Sequence, residues 1–172
     1  TRCHEEIANV RRYLTSLTCM FLDIDKFKRI NDEFGHPAGD EVIRNIARLI
    51  KSQLRSNDIL ARFGGEEFVV LLPQTGIQRA CEIAERIRHL IATKPLRLSD
   101  TKELPVTISI GIASLPEDVS GNEAMIANDL ISAADGALYL AKKGGRNRVM
   151  CEDGLETPIV PQPNLTGLFL LN

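Results

Sequence analysis

Thr18-Cys19-Met20-Phe21-Leu22-Asp23-Ile24-Asp25 is an apolar run that closes on two carboxylates. With no Gly or Pro to interrupt it, this composition predicts a buried strand. Asp23 and Asp25 are two positions apart, so on a strand their side chains share one face. Downstream, Lys26 to Phe34 predicts a short helix ended by Gly35. Gly39-Asp40 then opens a second helix, in which Val42, Ile43, Ile46, Leu49, Ile50 and Leu54 recur at helical spacing. Ile59 to Phe63 and Phe68 to Leu72 flank Gly64-Gly65-Glu66-Glu67, a hairpin signal because Gly-Gly tolerates positive φ. A hairpin beside the first strand would bring Glu66 or Glu67 alongside its carboxylates.

The remaining elements follow from the same periodicities. Ile77, Ala80, Cys81, Ala84, Ile87 and Ile91 mark a helix that ends before Pro95, and Val106 to Ala113 reads as a strand. Ile126 through Ala141 gives a long helix stopped by Gly144-Gly145, after which Val149 to Cys151 returns as an edge strand. Upstream of the opening strand, Glu5 to Leu14 predicts an amphipathic helix. Mixed hairpin and crossover connections imply an α+β fold, with helices flanking a central, mostly antiparallel sheet. Residues 1–151 form one domain in this reading, and the prolines at 158, 161 and 163 make 152–172 an extended tail.

With 172 residues and 44% hydrophobic content, the chain suits one compact domain with a single site. A net charge of −2 supplies no basic field for long nucleic acid. The four cysteines lie far apart with no C-x-x-C pair, so reduced thiols in the cytoplasm are expected rather than a zinc knuckle or disulfide scaffold. No apolar run reaches the roughly 20 residues that span a bilayer, so no membrane contact is expected of these residues themselves, a reading equally compatible with a membrane-anchored longer parent.

Carboxylates gathered from a strand and a hairpin repel one another unless a cation compensates them. An all-oxygen site with open positions suits Mg²⁺ or Mn²⁺ bridging substrate phosphates. The competing explanation is solvated acid at a strand end. Lys26-Phe27-Lys28 follows at once, where fresh helix N–H groups and a lysine can meet an anion or simply form a solvated first turn. Asn31 and Asp40 bracket a tight Gly35-His36-Pro37 loop. A carboxylate there can accept both neighbouring donors of guanine, which adenine does not offer. Alternatively, Asp40 caps the helix that follows it.

Asp23-Ile24-Asp25-Lys26-Phe27-Lys28-Arg29-Ile30-Asn31 through Gly39-Asp40, together with Arg62-Phe63-Gly64-Gly65-Glu66-Glu67-Phe68, resembles the signature segments of the GGDEF family of diguanylate cyclases. The likeness continues through Thr107-Ile108-Ser109-Ile110-Gly111 and through Ala134 to Asn147, covering about residues 5 to 150. It implies a fold similar to nucleotidyl cyclases and polymerase palm domains, with GTP lying over Gly64 and Gly65. It also implies metal held by Asp23, Glu66 and the Ile24 carbonyl, with Glu66 as base for the attacking hydroxyl and Glu67 assisting. Guanine would meet Asn31 and Asp40. Phosphates would meet the Phe27 N–H, Lys28, Lys142 and Arg146.

The product implied is cyclic di-GMP, made from two GTP molecules across a homodimer because each chain carries one copy of each motif. Arg55-Ser56-Asn57-Asp58 is similar to the family's R-x-x-D product-inhibition site, which Arg62 would join; a surface ion pair explains the same spacing. The rival readings are a catalytically silent module that binds GTP or cyclic di-GMP, and a relaxed cyclase that makes a mixed product. The family's leading D-x-L-T-G-L-x-N-R segment is missing from Thr1 to Glu5, whereas Asn164-Leu165-Thr166-Gly167-Leu168-Phe169 resembles it.

Overall fold

A computed structural model of the chain describes residues 8, 15–98, 103–115 and 121–154. In chain order these form β1 (Leu17–Ile24), α1 (Phe27–Phe34), α2 (His36–Ser52), β2 (Ile59–Gly64), β3 (Glu67–Pro73) and α3 (Ile77–Thr93). There follow β4 (Leu96–Arg97), β5 (Glu103–Leu104), β6 (Ile108–Ser114), α4 (Glu123–Lys143) and β7 (Val149–Cys151). The main sheet has the order β2-β3-β1-β6-β7. β1 runs antiparallel to both β3 and β6, and β7 lies parallel to β6 at the edge. The α+β expectation of a mostly antiparallel sheet flanked by helices therefore holds.

All eight residues of β1 are buried. The reason is that helices cover both faces of the sheet. Met20, Leu22 and Ile24 enter a core shared with α1, α2 and α3, while Leu17, Cys19 and Phe21 enter a second core shared with α4. A central strand of this kind has no wet face to carry alternating polar residues, and its nearly continuous apolar run follows from that. On β6, Gly111 allows α4 to approach: a Cβ there would lie 2.1 Å from both the Ala134 oxygen and the Leu138 nitrogen.

Three local expectations change. The second helix begins at His36 rather than at Gly39-Asp40, because Gly35, at φ 83°, ends α1 and leads directly into α2 with Pro37 in its first turn. Asp40 thus sits inside α2 and caps nothing. Secondly, the turn between β2 and β3 is Gly65-Glu66, and neither Gly64 nor Gly65 has positive φ. A register irregularity between Arg62 and Gly64 accommodates the bend instead. Thirdly, the pairing of β6 starts at Ile108, and the two-residue strands β4 and β5 before it are too short to leave a periodic signal.

Beyond Cys151, Glu152 still donates its N–H to the Ile112 oxygen at 2.9 Å. Of the expected Glu5–Leu14 helix only Ala8 is described, and it is helical. The segment 164–169 and the tail beyond 154 lie outside the described residues. No helix among the described residues is long and apolar enough to cross a membrane.

Candidate active site

The tip of β1 and the β2–β3 turn stand side by side. Asp23 pairs with Glu67 across the β1–β3 ladder, and the Ile24 N–H donates to the Glu66 oxygen at 3.3 Å. The Lys142 ammonium, near the end of α4, donates to Asp23 Oδ2 at 2.7 Å. The Asp23 side chain is 9% exposed and that of Lys142 is 31% exposed.

Burial is the largest influence on the Asp23 carboxyl and raises its pKa above 3.8. The Lys142 hydrogen bond and charge oppose this, and the charges of Glu66 and Glu67 reinforce it. One ammonium thus faces three carboxylates, an excess of negative charge that favours a further cation. Among the described residues no three His, Cys, Asp or Glu side chains form a complete metal cluster. What the protein offers is a partial set of hard oxygen donors, which fits Mg²⁺ or Mn²⁺, since such ions take one or two carboxylates and complete their shell with water and phosphate.

Asp25 emerges on the same α4-side face, yet its surroundings differ completely. Its Oδ1 accepts from Ser109 Oγ at 2.6 Å, and its Oδ2 accepts from Thr107 Oγ1 at 2.7 Å and from the Asn147 N–H at 3.0 Å. Those bonds anchor the loop after α4 and leave Asp25 committed to the fold. Around it lie Lys26 (φ 57°), Arg146 (φ 67°) and Asn147 (φ 46°), three non-glycine residues in left-handed conformation. Each costs roughly 1–2 kcal/mol, so the surroundings must hold them in place. Arg88 of α3 helps, donating to Asn147 Oδ1 at 2.8 Å. Arg146 is exposed and, with Lys26 and Arg29, lines a cleft of about 900 Å³ whose walls include neither Asp23 nor Glu66.

At the start of α1 no side chain caps the helix, and Lys28 is exposed. One turn further on, Asn31 Oδ1 is buried without a hydrogen-bond partner among the described residues. A buried acceptor is costly unless a donor from water or a ligand reaches it. Gly39 of α2 creates its space, since a Cβ there would lie 1.9 Å from Asn31 Oδ1 and 3.1 Å from Phe27 Cζ. Sequence reasoning missed this role of Gly39 because it put the residue at the start of the helix; inside α2 a glycine is about 1 kcal/mol worse than Ala and so needs such a reason. Asp40, the next residue of α2, is exposed.

On the hairpin, a Cβ at Gly65 would have no neighbour within 4 Å, so the turn presents open space. Arg62 braces it by donating from Nε and Nη2 to the Gly65 oxygen at 3.0 and 2.8 Å. Asp58 is buried and accepts from the Arg55 N–H at 2.7 Å, so the two are joined through the backbone rather than by a surface ion pair. The Arg55 side chain remains exposed.

The family model described as the diguanylate cyclase GGDEF domain matches residues 1–148. Diguanylate cyclase A of Treponema denticola is 45% identical over 134 residues, covering 78% of this chain and 34% of that protein. The GGDEF domain of DgcB from Caulobacter crescentus, solved in complex with c-di-GMP, superposes with a TM-score of 0.81 at 32% identity, covering 88% of this chain and 84% of that one. The active GGEEF domain of a diguanylate cyclase from Vibrio cholerae superposes with a TM-score of 0.77 at 34% identity, covering 88% and 92%. The chain spans about a third or less of the length of the curated relatives it matches first.

Proposed function

The chain belongs to the GGDEF family of diguanylate cyclases, and on that premise we propose that it condenses two GTP molecules into cyclic di-GMP and two pyrophosphates. One observation carries the proposal: the buried Asp23 carboxylate, crowded by Glu66 and Glu67, stands beside a glycine turn with open space above it. Asp23, Glu66 and the Ile24 carbonyl would hold Mg²⁺ or Mn²⁺. When bound, the ion would supply charge stabilisation at the attacking and leaving oxygens. Lys142, paired with Asp23 here, would then be released to the phosphates alongside Arg146, Lys28 and the Phe27 N–H.

Guanine would dock with its edge on Asn31 and Asp40, satisfying the orphan Asn31 oxygen. Glu66 would take the proton of a ribose 3′-hydroxyl as its oxygen attacks the α-phosphorus of the second GTP, with Glu67 positioning it. A homodimer belongs to the same reading, because a facing second copy supplies the antiparallel GTP that a two-fold symmetric product needs. Product feedback at Arg55, with Asp58 shaping the turn and Arg62 close by, is part of the same reading. GTP supply puts the reaction in the cytoplasm.

Incubation with Mg²⁺ and GTP, followed by mass identification of the nucleotides, tests the proposal. Cyclic di-GMP formed at a rate rising more than linearly with protein concentration supports it. Bound but unconverted GTP would establish the silent module, and a mixed guanine–adenine product in the presence of ATP would establish the relaxed cyclase.

A further inference from the structure

Cys81 and Cys151 are 70 residues apart in the chain, yet their Sγ atoms lie 3.3 Å from one another. Cys81 is on α3 and partly buried; Cys151 ends β7 and is buried. Both are thiols, and 3.3 Å is within sulfur contact distance, so bond formation at about 2.05 Å needs a closure of roughly 1.2 Å. Cys19 does not compete, because it is buried in the other core beneath α4. We propose that Cys81 and Cys151 form a peroxide-responsive dithiol, which oxidises to a disulfide stapling α3 to the edge strand β7.

The chemistry balances with peroxide as the oxidant. The Cys151 thiolate attacks one peroxide oxygen, forming sulfenic acid and releasing hydroxide, which takes up a proton. The Cys81 sulfur then displaces the sulfenic oxygen as a second water. Two thiols lose two protons and two electrons, and hydrogen peroxide becomes two waters. At 3.3 Å either thiol can donate its S–H to the other sulfur, and the accepting sulfur is the one whose thiolate that bond stabilises.

Across β6, Cys151 lies level with Ile112, and the staple reaches the loop after α4 through the segment that leads into β7. Arg88 is two helical turns beyond Cys81 on the same face of α3, and it holds Asn147, which begins the run into β7. A Cys81–Cys151 bond would therefore fix α3 to both ends of the segment 147–151, directly behind Arg146. This proposal does not depend on the nucleotide reading.

The test treats the reduced full chain with hydrogen peroxide, alkylates it under denaturing conditions, and maps peptides without reduction. The expected result is loss of two of the four titratable thiols, a 2 Da mass decrease, a peptide pair joining Cys81 to Cys151, and a Tm that rises by several degrees and falls back with reductant. Cys81→Ser and Cys151→Ser each abolish the cross-linked pair. Four alkylatable thiols after treatment, or a cross-link through Cys3 or Cys19 that survives in Cys81→Ser, overturns the proposal. Because the wild-type map is decisive by itself, a variant that failed to fold would not shelter the idea.

Discussion

Asp23 and Asp25 leave the same strand on the same face, two residues apart, and meet opposite conditions. Asp25 receives three hydrogen bonds at 2.6 to 3.0 Å and ties β6 and the loop after α4 to the strand tip. Asp23 has one ammonium partner, two neighbouring carboxylates and a pKa raised chiefly by burial. A carboxylate engaged on both oxygens by its own protein stabilises the fold. A buried carboxylate left short of positive charge is held ready for a cation from outside. The difference separates the structural flank of the tip from the chemical one.

Exchanging charge for an isosteric amide should break this contrast most visibly. Asp23→Asn is expected to lower cyclic di-GMP formation by about 100- to 1,000-fold, in the range for removing one key electrostatic group, with the thermal midpoint retained. A variant that unfolds instead would mean Asp23 is as structural as its neighbour. Asp25→Ala is expected to lower the unfolding free energy by about 3 kcal/mol, because three donors lose their acceptor inside the protein; urea denaturation measures it. A loss below about 0.5 kcal/mol would remove Asp25 from the anchoring role.

Asn31→Ala sharpens the comparison at the guanine end. Its Oδ1 has no partner to lose, so stability should change by less than about 1 kcal/mol while GTP affinity, read by calorimetry, falls about tenfold. The smallest effect is a pH slope. The folded-state pKa of Asp23 lies above 3.8, so the folded form binds this proton more tightly than the unfolded chain does. The resulting stability is present below the unfolded pKa and lost as pH rises through the raised folded value. Wild type should therefore lose stability relative to Asp23→Asn between acid and neutral pH, measured as the difference of their urea midpoints. A difference that is flat across that range would show that burial does not disfavour the charged form.

Much of this architecture is legible in the residues. The apolar run from Thr18, the helical spacing in α2, α3 and α4, and the paired runs around Gly64-Gly65 each carry their own period, so the elements appear without reference to one another. The motif residues Asp23, Asn31, Asp40 and Glu66 also stand out, because their chemistry suits a nucleotide and a hard cation. Boundaries fared less well where one residue serves two elements: Gly35 both ends α1 and starts α2, which hid Asp40 inside the helix. The hairpin was found for a partly mistaken reason, since an irregular register and not positive φ makes its bend.

The amino-acid order by itself determined which segments become strands and helices, and which side chains can bind metal, phosphate and base. Only the tertiary structure decided which of two similar carboxylates is spent on the fold, that Gly39 leaves the Asn31 oxygen without a partner, and that Cys81 meets Cys151. The physical reason is distance along the chain. Asp23 finds Lys142 119 residues away, and Asp25 finds Asn147 122 residues away. Local periodicity reports backbone conformation over a few turns, whereas a side chain's partner is set by packing that brings remote segments together.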